Sequence, residues 1–352
     1  MDSILTATTA RTTYDRRAGE RMIQVMLRIA SRPSALALAQ ANLVKARLEA
    51  RLRHPVEIVP ISTRGDKLTS ASLARIGGKG LFIHELEQVL IEGRADVAVH
   101  SMKDLPAALS PAFRIIAVPE REDARDALIS RGSGGFAMLP PGARLGTSSI
   151  RRRLQALRRR PDLEVVALRG NVDTRLTRLQ QSNFDAIMLA LAGLKRLDRS
   201  NPGRGLANSL APRGLNLEAL NESDFVPSGG QGALAIETLA DLPLCGSTEL
   251  EVALASLNDR RAAAETTAER TFLETIGASC VSPVGVRATA EQDVLSLRAM
   301  LFNQDGSRNL TDERSVSCDA NSALDLSAAG RRLGLELGHR MLDLGARELI
   351  GE

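Results

Sequence analysis

Residues 97–106 read VAVHSMKDLP. Val97, Ala98 and Val99 form a short apolar run, the mark of a strand covered on both faces. The run ends at His100, and Ser101, Lys103 and Asp104 then crowd a tight loop closed by Pro106. A buried strand that empties into a charged loop is the building unit of open α/β sheets, whose ligands bind beyond the carboxyl ends of the strands. A carboxylate placed there serves as an acid, a base or a stabiliser of a developing cation. The same residues also suit a turn cap (Asp104) beside a solvated Lys103.

The unit recurs on both sides. Upstream, LRIAS (27–31) reads as a strand, Ser34 to Leu52 as an amphipathic helix, VEIVPIS (56–62) as a strand and Leu81 to Glu92 as a helix. Downstream, FRIIAVP, ARLGTSS, LEVVALRG and FDAIMLAL are further buried strands, with helices over Ile150–Arg160 and Val172–Gln181. Val118 to Ser130 is a charged crossover that runs into a new strand, and Leu197 to Gly214 is loop-like. This alternation predicts α/β lobes with mostly parallel sheets and helices on both faces. After Asp241 the texture changes to a long helix over Asp259–Ile276, a cysteine loop and β-like runs such as LSLRAMLFN, a smaller α+β domain.

With 352 residues, 43% hydrophobic and 25% charged, the chain has the composition of a soluble protein of two to three domains. It has no apolar run long enough to span a membrane. Cys245, Cys280 and Cys318 are odd in number and widely spaced, which argues against a disulfide framework and for a reducing, cytoplasmic setting. The four histidines are scattered, so no metal site is expected. Net charge is a mild +4, and with no Trp and one Tyr the chain lacks the stacking platforms of a single-stranded nucleic-acid binder. Residues 1–25 are rich in Ser, Thr and Arg without an apolar signal core, and read as a disordered or atypical tail.

Several strand-to-helix junctions carry Arg, Ser and Thr together. LGTSSIRRRLQALRRR (145–160) places Thr147, Ser148 and Ser149 at a helix N-terminus, where unpaired N–H groups and the helix dipole hold anions. Arg151 and Arg152 add forked contacts for carboxylate or phosphate. Arg158 to Arg160 lie a helix length away and read as solvated surface charges. ALRGNVDTRLTRL repeats the design with Arg169, Gly170 and Arg175. LAGLKRL supplies Lys195 and Arg196, and ASRPSALALAQ supplies Arg32 and Ser34. Such a set implies a cleft for a ligand with many negative groups. No GxxxxGK[ST] loop exists, and IGGKGLF, with Lys79, matches neither that motif nor GxGxxG.

GASCVSPVG (277–285) holds Cys280 in a loop of small residues. No neighbouring histidine marks a turnover nucleophile. An unperturbed thiol, with a pKa of about 8.5, is only partly ionised at neutral pH and suits one slow attachment better than repeated attack; an inert loop cysteine fits the spacing equally.

From about Met26 onward the chain resembles the hydroxymethylbilane synthase (porphobilinogen deaminase) family. The landmarks stand in order: LRIASRPSALALAQ, TRGD, IGGKGLF, HSMKDLP, LGTSSIRRR, LRGNVDTRL, LALAGLKRL, GGQGALAIE and the late cysteine loop. The resemblance implies two periplasmic-binding-protein-like lobes plus a C-terminal domain: domain 1 at 26–119 and 222–241, domain 2 at 120–221, and domain 3 at 242–352. It implies a dipyrromethane cofactor joined to Cys280 by a thioether, with porphobilinogen as substrate and a monomeric enzyme. By the same match Asp104 stabilises the cation left when ammonia departs. Arg32, Ser34, Lys79, Ser101, Lys103, Ser149, Arg151, Arg152, Arg169, Arg175, Arg196 and Gln231 bind cofactor or substrate side chains. Two features depart from the family pattern: Ala278-Ser279 stands where Gly-Gly is usual, and about Pro202 to Leu217 looks like an insertion. The competing expectation is a non-catalytic carboxylate-binding protein on the same scaffold.

Overall fold

A computed structural model describes residues 26–52, 55–63, 83–132, 134–181, 183–200, 210, 213–241, 248–279, 282–319 and 322–351. The first sheet is built from β1 (Leu27–Ser31), β2 (Val56–Pro60), β3 (Val97–Ser101), β4 (Phe113–Ala117) and β10 (Leu234–Leu239), in the order β2-β1-β3-β10-β4. The second contains β5 (Asp126–Arg131), β6 (Arg144–Gly146), β7 (Glu164–Val166), β8 (Ala186–Ala190) and β9 (Leu215–Ala219), in the order β7-β6-β8-β5-β9. Four strands of each sheet run the same way. The reversed strand, β10 in the first and β5 in the second, pairs antiparallel on both sides. Both reversed strands are those by which the chain arrives from the other lobe.

Helices cover the sheets because the strands bury side chains on both faces. Helix α1 (Ala35–Glu49) is capped by Ser34, whose side chain accepts from Ala37 N, and buries Gln40, Ala41, Val44 and Leu48 along one stripe. Helix α2 (His84–Ile91) begins later than the expected Leu81, and residues 81–82 lie outside those described. On the second lobe, α3 (Ile150–Arg159), α4 (Val172–Gln180) and α5 (Leu191–Arg199) follow β6, β7 and β8. The expected strands ARLGTSS and LEVVALRG are shorter in the structure: β6 stops at Gly146 and β7 at Val166, and Ser149 and Asn171 further on cap the helices that follow. Part of the expected insertion is also ordinary structure: Leu215–Ala219 is the edge strand β9, paired along β5.

Two segments cross between the lobes side by side. Glu122 N donates to Gly232 O at 3.1 Å, and Arg121 Nε donates to Gln231 O at 2.9 Å. Gly232 has φ +87°, and a Cβ there would stand 2.2 Å from Glu122 O, so only glycine fits the crossing.

Helix α6 (Thr248–Ala255) packs on the first sheet: Leu250, Ala253, Leu254 and Leu257 share a core with Leu27, Ile29 and Val97. Helix α7 (Arg260–Thr275) leads into a third sheet of β11 (Val284–Glu291), β12 (Val294–Phe302) and β13 (Asn309–Ser317), all antiparallel. Helix α8 (Ala323–Asp343) lies along α7, followed by α9 (Ala346–Ile350). Their approach is close: a Cβ at Gly330 would come within 2.6 Å of Ala264 O, and one at Gly334 within 2.6 Å of Ala268 O. Among the described residues, no helix is long and apolar enough to cross a membrane.

Candidate active site

Strand β3 ends at Ser101 and passes into a single 3-10 turn, Met102–Asp104. Met102 is buried beneath the turn, and its N–H donates to Ala233 O on the return segment. Lys103 is half-buried, with Nζ 3.3 Å from Gln231 Oε1. Loss of hydration and the neighbouring Arg152 charge push its ammonium pKa down to about 8, against the opposing pull of Asp104 and Asp126. Asp104 is exposed and has no hydrogen-bond or ion-pair partner among the described residues. It lines a cavity of about 60 Å³ with Arg32, Ser34, Gln40, His100 and Ser101. Gln40, buried on α1, fixes the Ser101 hydroxyl at 2.9 Å.

The second lobe contributes its hydroxyls and guanidinia from loops at the carboxyl ends of β6, β7 and β8. Thr147 Oγ1 accepts from Ser149 N at 3.2 Å, Ser148 Oγ donates to Leu168 O at 2.9 Å, and Ser149 caps α3 by accepting from Arg152 N. Arg151 and Arg152 are buried and converge on Asp126, the first residue of β5. Arg151 Nη1 stands 2.7 Å from Asp126 Oδ2, and Arg152 Nη2 2.8 Å from Oδ1. Burial alone raises the Asp126 carboxyl pKa; the two arginines outweigh it and hold that carboxyl well below the usual range.

Arg151 is further committed to Val226 O at 2.8 Å and Gln155 Oε1 at 3.2 Å. It holds the second lobe to the return segment, while Arg152 reaches Gln231 Oε1 at 3.4 Å. Gln231, buried, donates to Asp126 Oδ1 at 2.8 Å and to Ala124 O at 2.7 Å.

Arg175, half-buried on α4, donates from Nε to Gly170 O at 2.8 Å. Gly170 has φ +116° and turns the chain at that point, and Asn171 supplies the α4 cap. Burial and the charges of Arg152 and Arg169 lower the Arg175 pKa to about 10. Arg196 is buried, donates to Gly232 O at 2.6 Å, and is likewise lowered to about 10, mainly by burial. Lys195, expected beside it, instead pairs with Glu122 and Asp123 at the lobe crossing.

The structure therefore joins most of the expected residues across two lobes, and adds Asp126 and Gln40. Lys79 and Cys280 lie outside the described residues. The flanks of Cys280 are described: Ser279 N donates to Ser282 Oγ at 2.9 Å, and Ala278 N to Leu273 O at 2.9 Å. Gly277 supplies the left-handed turn at φ +72°, so Ala278 and Ser279 stand without positive φ where glycines are usual. One expectation fails at Arg160. It is not a solvated surface charge, because its guanidinium grips Asp162 at 2.7 Å and Leu139 O at 3.0 Å.

Lys103, Arg151, Arg152, Arg169 and Arg175 act on one another electrostatically, and Asp126 and Asp104 oppose the charges of Lys103 and its neighbours. Arg175 and Arg196 have no carboxylate within ion-pair distance among the described residues. Poorly hydrated guanidinia without an ion-pair partner suit a ligand bearing several carboxylates. Among the described residues no group of three or more His, Cys, Asp or Glu is placed to hold a metal ion.

A family model described as "Porphobilinogen deaminase, dipyromethane cofactor binding domain" matches residues 27–244, and one described as "Porphobilinogen deaminase, C-terminal domain" matches residues 263–343. The chain belongs to the porphobilinogen deaminase family. A porphobilinogen deaminase of Chromobacterium violaceum is 44% identical over 92% of this chain and 96% of its own length. That of Campylobacter concisus is 38% identical over 92% of this chain and 97% of its own. Among solved structures, the BvgS VFT2 domain of Bordetella pertussis is similar at a TM-score of 0.36 and 17% identity, over 66% of this chain and 85% of that one. As a porphobilinogen deaminase family member the chain takes a dipyrromethane cofactor in its two-lobed part. The unpaired Arg175 and Arg196 fit the carboxylates of that group. A non-catalytic carboxylate-binding protein is not favoured.

Proposed function

We infer that this chain is a hydroxymethylbilane synthase, a transferase of tetrapyrrole biosynthesis. It condenses four porphobilinogen units head to tail onto an enzyme-bound dipyrromethane with loss of ammonia, then releases hydroxymethylbilane by hydrolysis. The observation that carries the reading is Asp104, an exposed carboxylate with no hydrogen-bond or ion-pair partner among the described residues, set close to several poorly hydrated cations.

The residue roles follow from that contrast. Arg152, Arg169, Arg175 and Arg196 hold acetate and propionate groups, each charge-assisted hydrogen bond contributing about 1.5–3 kcal/mol. Thr147, Ser148, Ser149 and the α3 N-terminus assist them, and Arg32, Ser34, Lys79, Ser101 and Lys103 act from the first lobe. Arg151 and Gln231 keep the cation cluster in register through Asp126. Asp104 stays ionised and stabilises positive charge on the pyrrole as ammonia leaves; such a contact is worth about 3 kcal/mol. Cys280 carries the dipyrromethane through a thioether. When bound, that group supplies the free pyrrole end on which the chain is extended.

We also place the chain in the cytoplasm, as a monomer that binds no nucleic acid. Burial of Arg151 and Arg152 supports the last point, since α3 then presents no continuous basic face. We propose the same three-domain division with one change: the packing of α6 supports counting residues 248–257 with domain 1.

Intact mass spectrometry tests the reading. Purified protein should carry a dipyrromethane adduct that disappears, with the activity, in Cys280→Ala. An unmodified mass in fully active protein would overturn it.

A further inference from the structure

A groove of about 600 Å³ opens between the chain that follows Asp104 and α7, and it shares no lining residue with the cavity at Asp104. Its volume lies in the range of small-molecule sites. One wall is apolar, with Leu109, Ile115 and Val118; the other is α7, with Thr267, Arg270 and Glu274. Arg270 is half-buried. Its Nη2 donates to Ala107 O at 2.6 Å, and its Nη1 lies 3.9 Å from Met102 Sδ.

Buried guanidinia in this protein are generally matched by carboxylates. Arg121 is held by Glu269 at 2.8 Å, Arg151 and Arg152 by Asp126, and Arg287 by Glu265 at 2.8 Å. Among the described residues, Arg175 and Arg196, which face the candidate active site, have no carboxylate at ion-pair distance, and neither has Arg270. Burial lowers the Arg270 pKa, and Glu274 and Glu237 offset this from beyond ion-pair distance. A poorly hydrated cation beside an apolar wall has the polarity of an amphiphilic anion, reversed.

We infer that this groove is a binding site for a small carboxylate with a compact apolar body. The carboxylate sits on Arg270, with the apolar part against Leu109, Ile115 and Val118. Because Arg270 also holds Ala107, three residues beyond Asp104, an occupant acts directly on the anchoring of the catalytic turn. None of the residues that line the groove is assigned a chemical role in the reaction above.

Calorimetric titration of cofactor-loaded protein with 3-phenylpropionate and with its amide tests the site. The acid should bind roughly tenfold or more tightly than the amide. Arg270→Gln should erase that preference. Glu274→Gln removes a nearby negative charge from an exposed position and should tighten acid binding by roughly two- to fivefold. Ala263→Leu narrows the groove with Arg270 intact and should weaken both probes. Equal binding of acid and amide, unchanged acid binding in Arg270→Gln, or no binding up to roughly 10 mM overturns the inference. If Arg270→Gln fails to fold, the sign of the Glu274→Gln change decides: weaker or unchanged acid binding overturns the inference.

Discussion

Gln231 Nε2 donates to Asp126 Oδ1 at 2.8 Å, joining residues 105 apart in the chain. The other end of the same amide accepts from Lys103 at 3.3 Å and Arg152 at 3.4 Å. One neutral side chain thus faces an anion with its donor and two cations with its acceptor. The first lobe's lysine and the second lobe's arginine meet on it.

Asp126→Asn leaves Arg151 and Arg152 buried without a counter-charge. It should cost about 3–5 kcal/mol of stability at neutral pH, read by chemical denaturation. The folded-state pKa of Asp126 lies below its unfolded value near 3.9, so its contribution is full above about pH 4 and lost as pH falls through the folded value. Wild type and variant should therefore converge in stability on acidification. A gap that persists at low pH would remove Asp126 from this role.

Lys103 carries its charge below about pH 8 and loses it above. In the free enzyme, kcat/KM should fall as pH rises through that value. Lys103→Arg keeps the cation throughout, so its profile should lack this alkaline limb. An identical limb in both proteins would assign it to another group.

Asp104→Asn keeps size and removes charge. Single-turnover chain extension on cofactor-loaded protein should slow about a hundredfold or more, with substrate affinity little changed. Asp104→Glu should retain more activity than Asn. Wild-type extension by the Asn variant would reduce Asp104 to a turn residue.

Arg175→Leu separates binding from stability. It removes a half-buried cation that has no carboxylate at ion-pair distance among the described residues, so cofactor-free protein should be no less stable by thermal melting. Cofactor retention should drop roughly ten- to a hundredfold, by the loss of a charge-assisted bond. Arg159→Leu, at an exposed position, should change neither. Equal losses at both positions would displace the cleft.

The strands of the two lobes were legible because burial on both faces writes them as short apolar runs. LRIAS and VAVHS stand where they were expected. Ser34 and Ser149 were legible as residues at the start of a helix, and the structure makes each of them the cap. Strand β13, NLTDERSVS, was not, since most of it faces solvent and it carries no apolar alternation. Helix α8 was hidden by Gly330, Gly334 and Gly338, which lower helix propensity yet admit α7. Asp126 escaped notice for a different reason. Within REDARDALIS it is one charge among many, and only the fold selects it as the partner of arginines 25 and 26 residues away.

The position of β10 between β3 and β4 sets an order of events during synthesis. The second sheet is contiguous from Asp126 to Ala219 and can close as soon as that stretch has left the ribosome. The first sheet cannot: β3 and β4 have no direct pairing, and the strand that joins them ends at Leu239, 122 residues after Ala117. At roughly 5–20 residues per second, β4 waits on the order of ten seconds with its edge unpaired. The lobe made second is finished first, and the nascent first lobe is the part of this protein most exposed to chaperones.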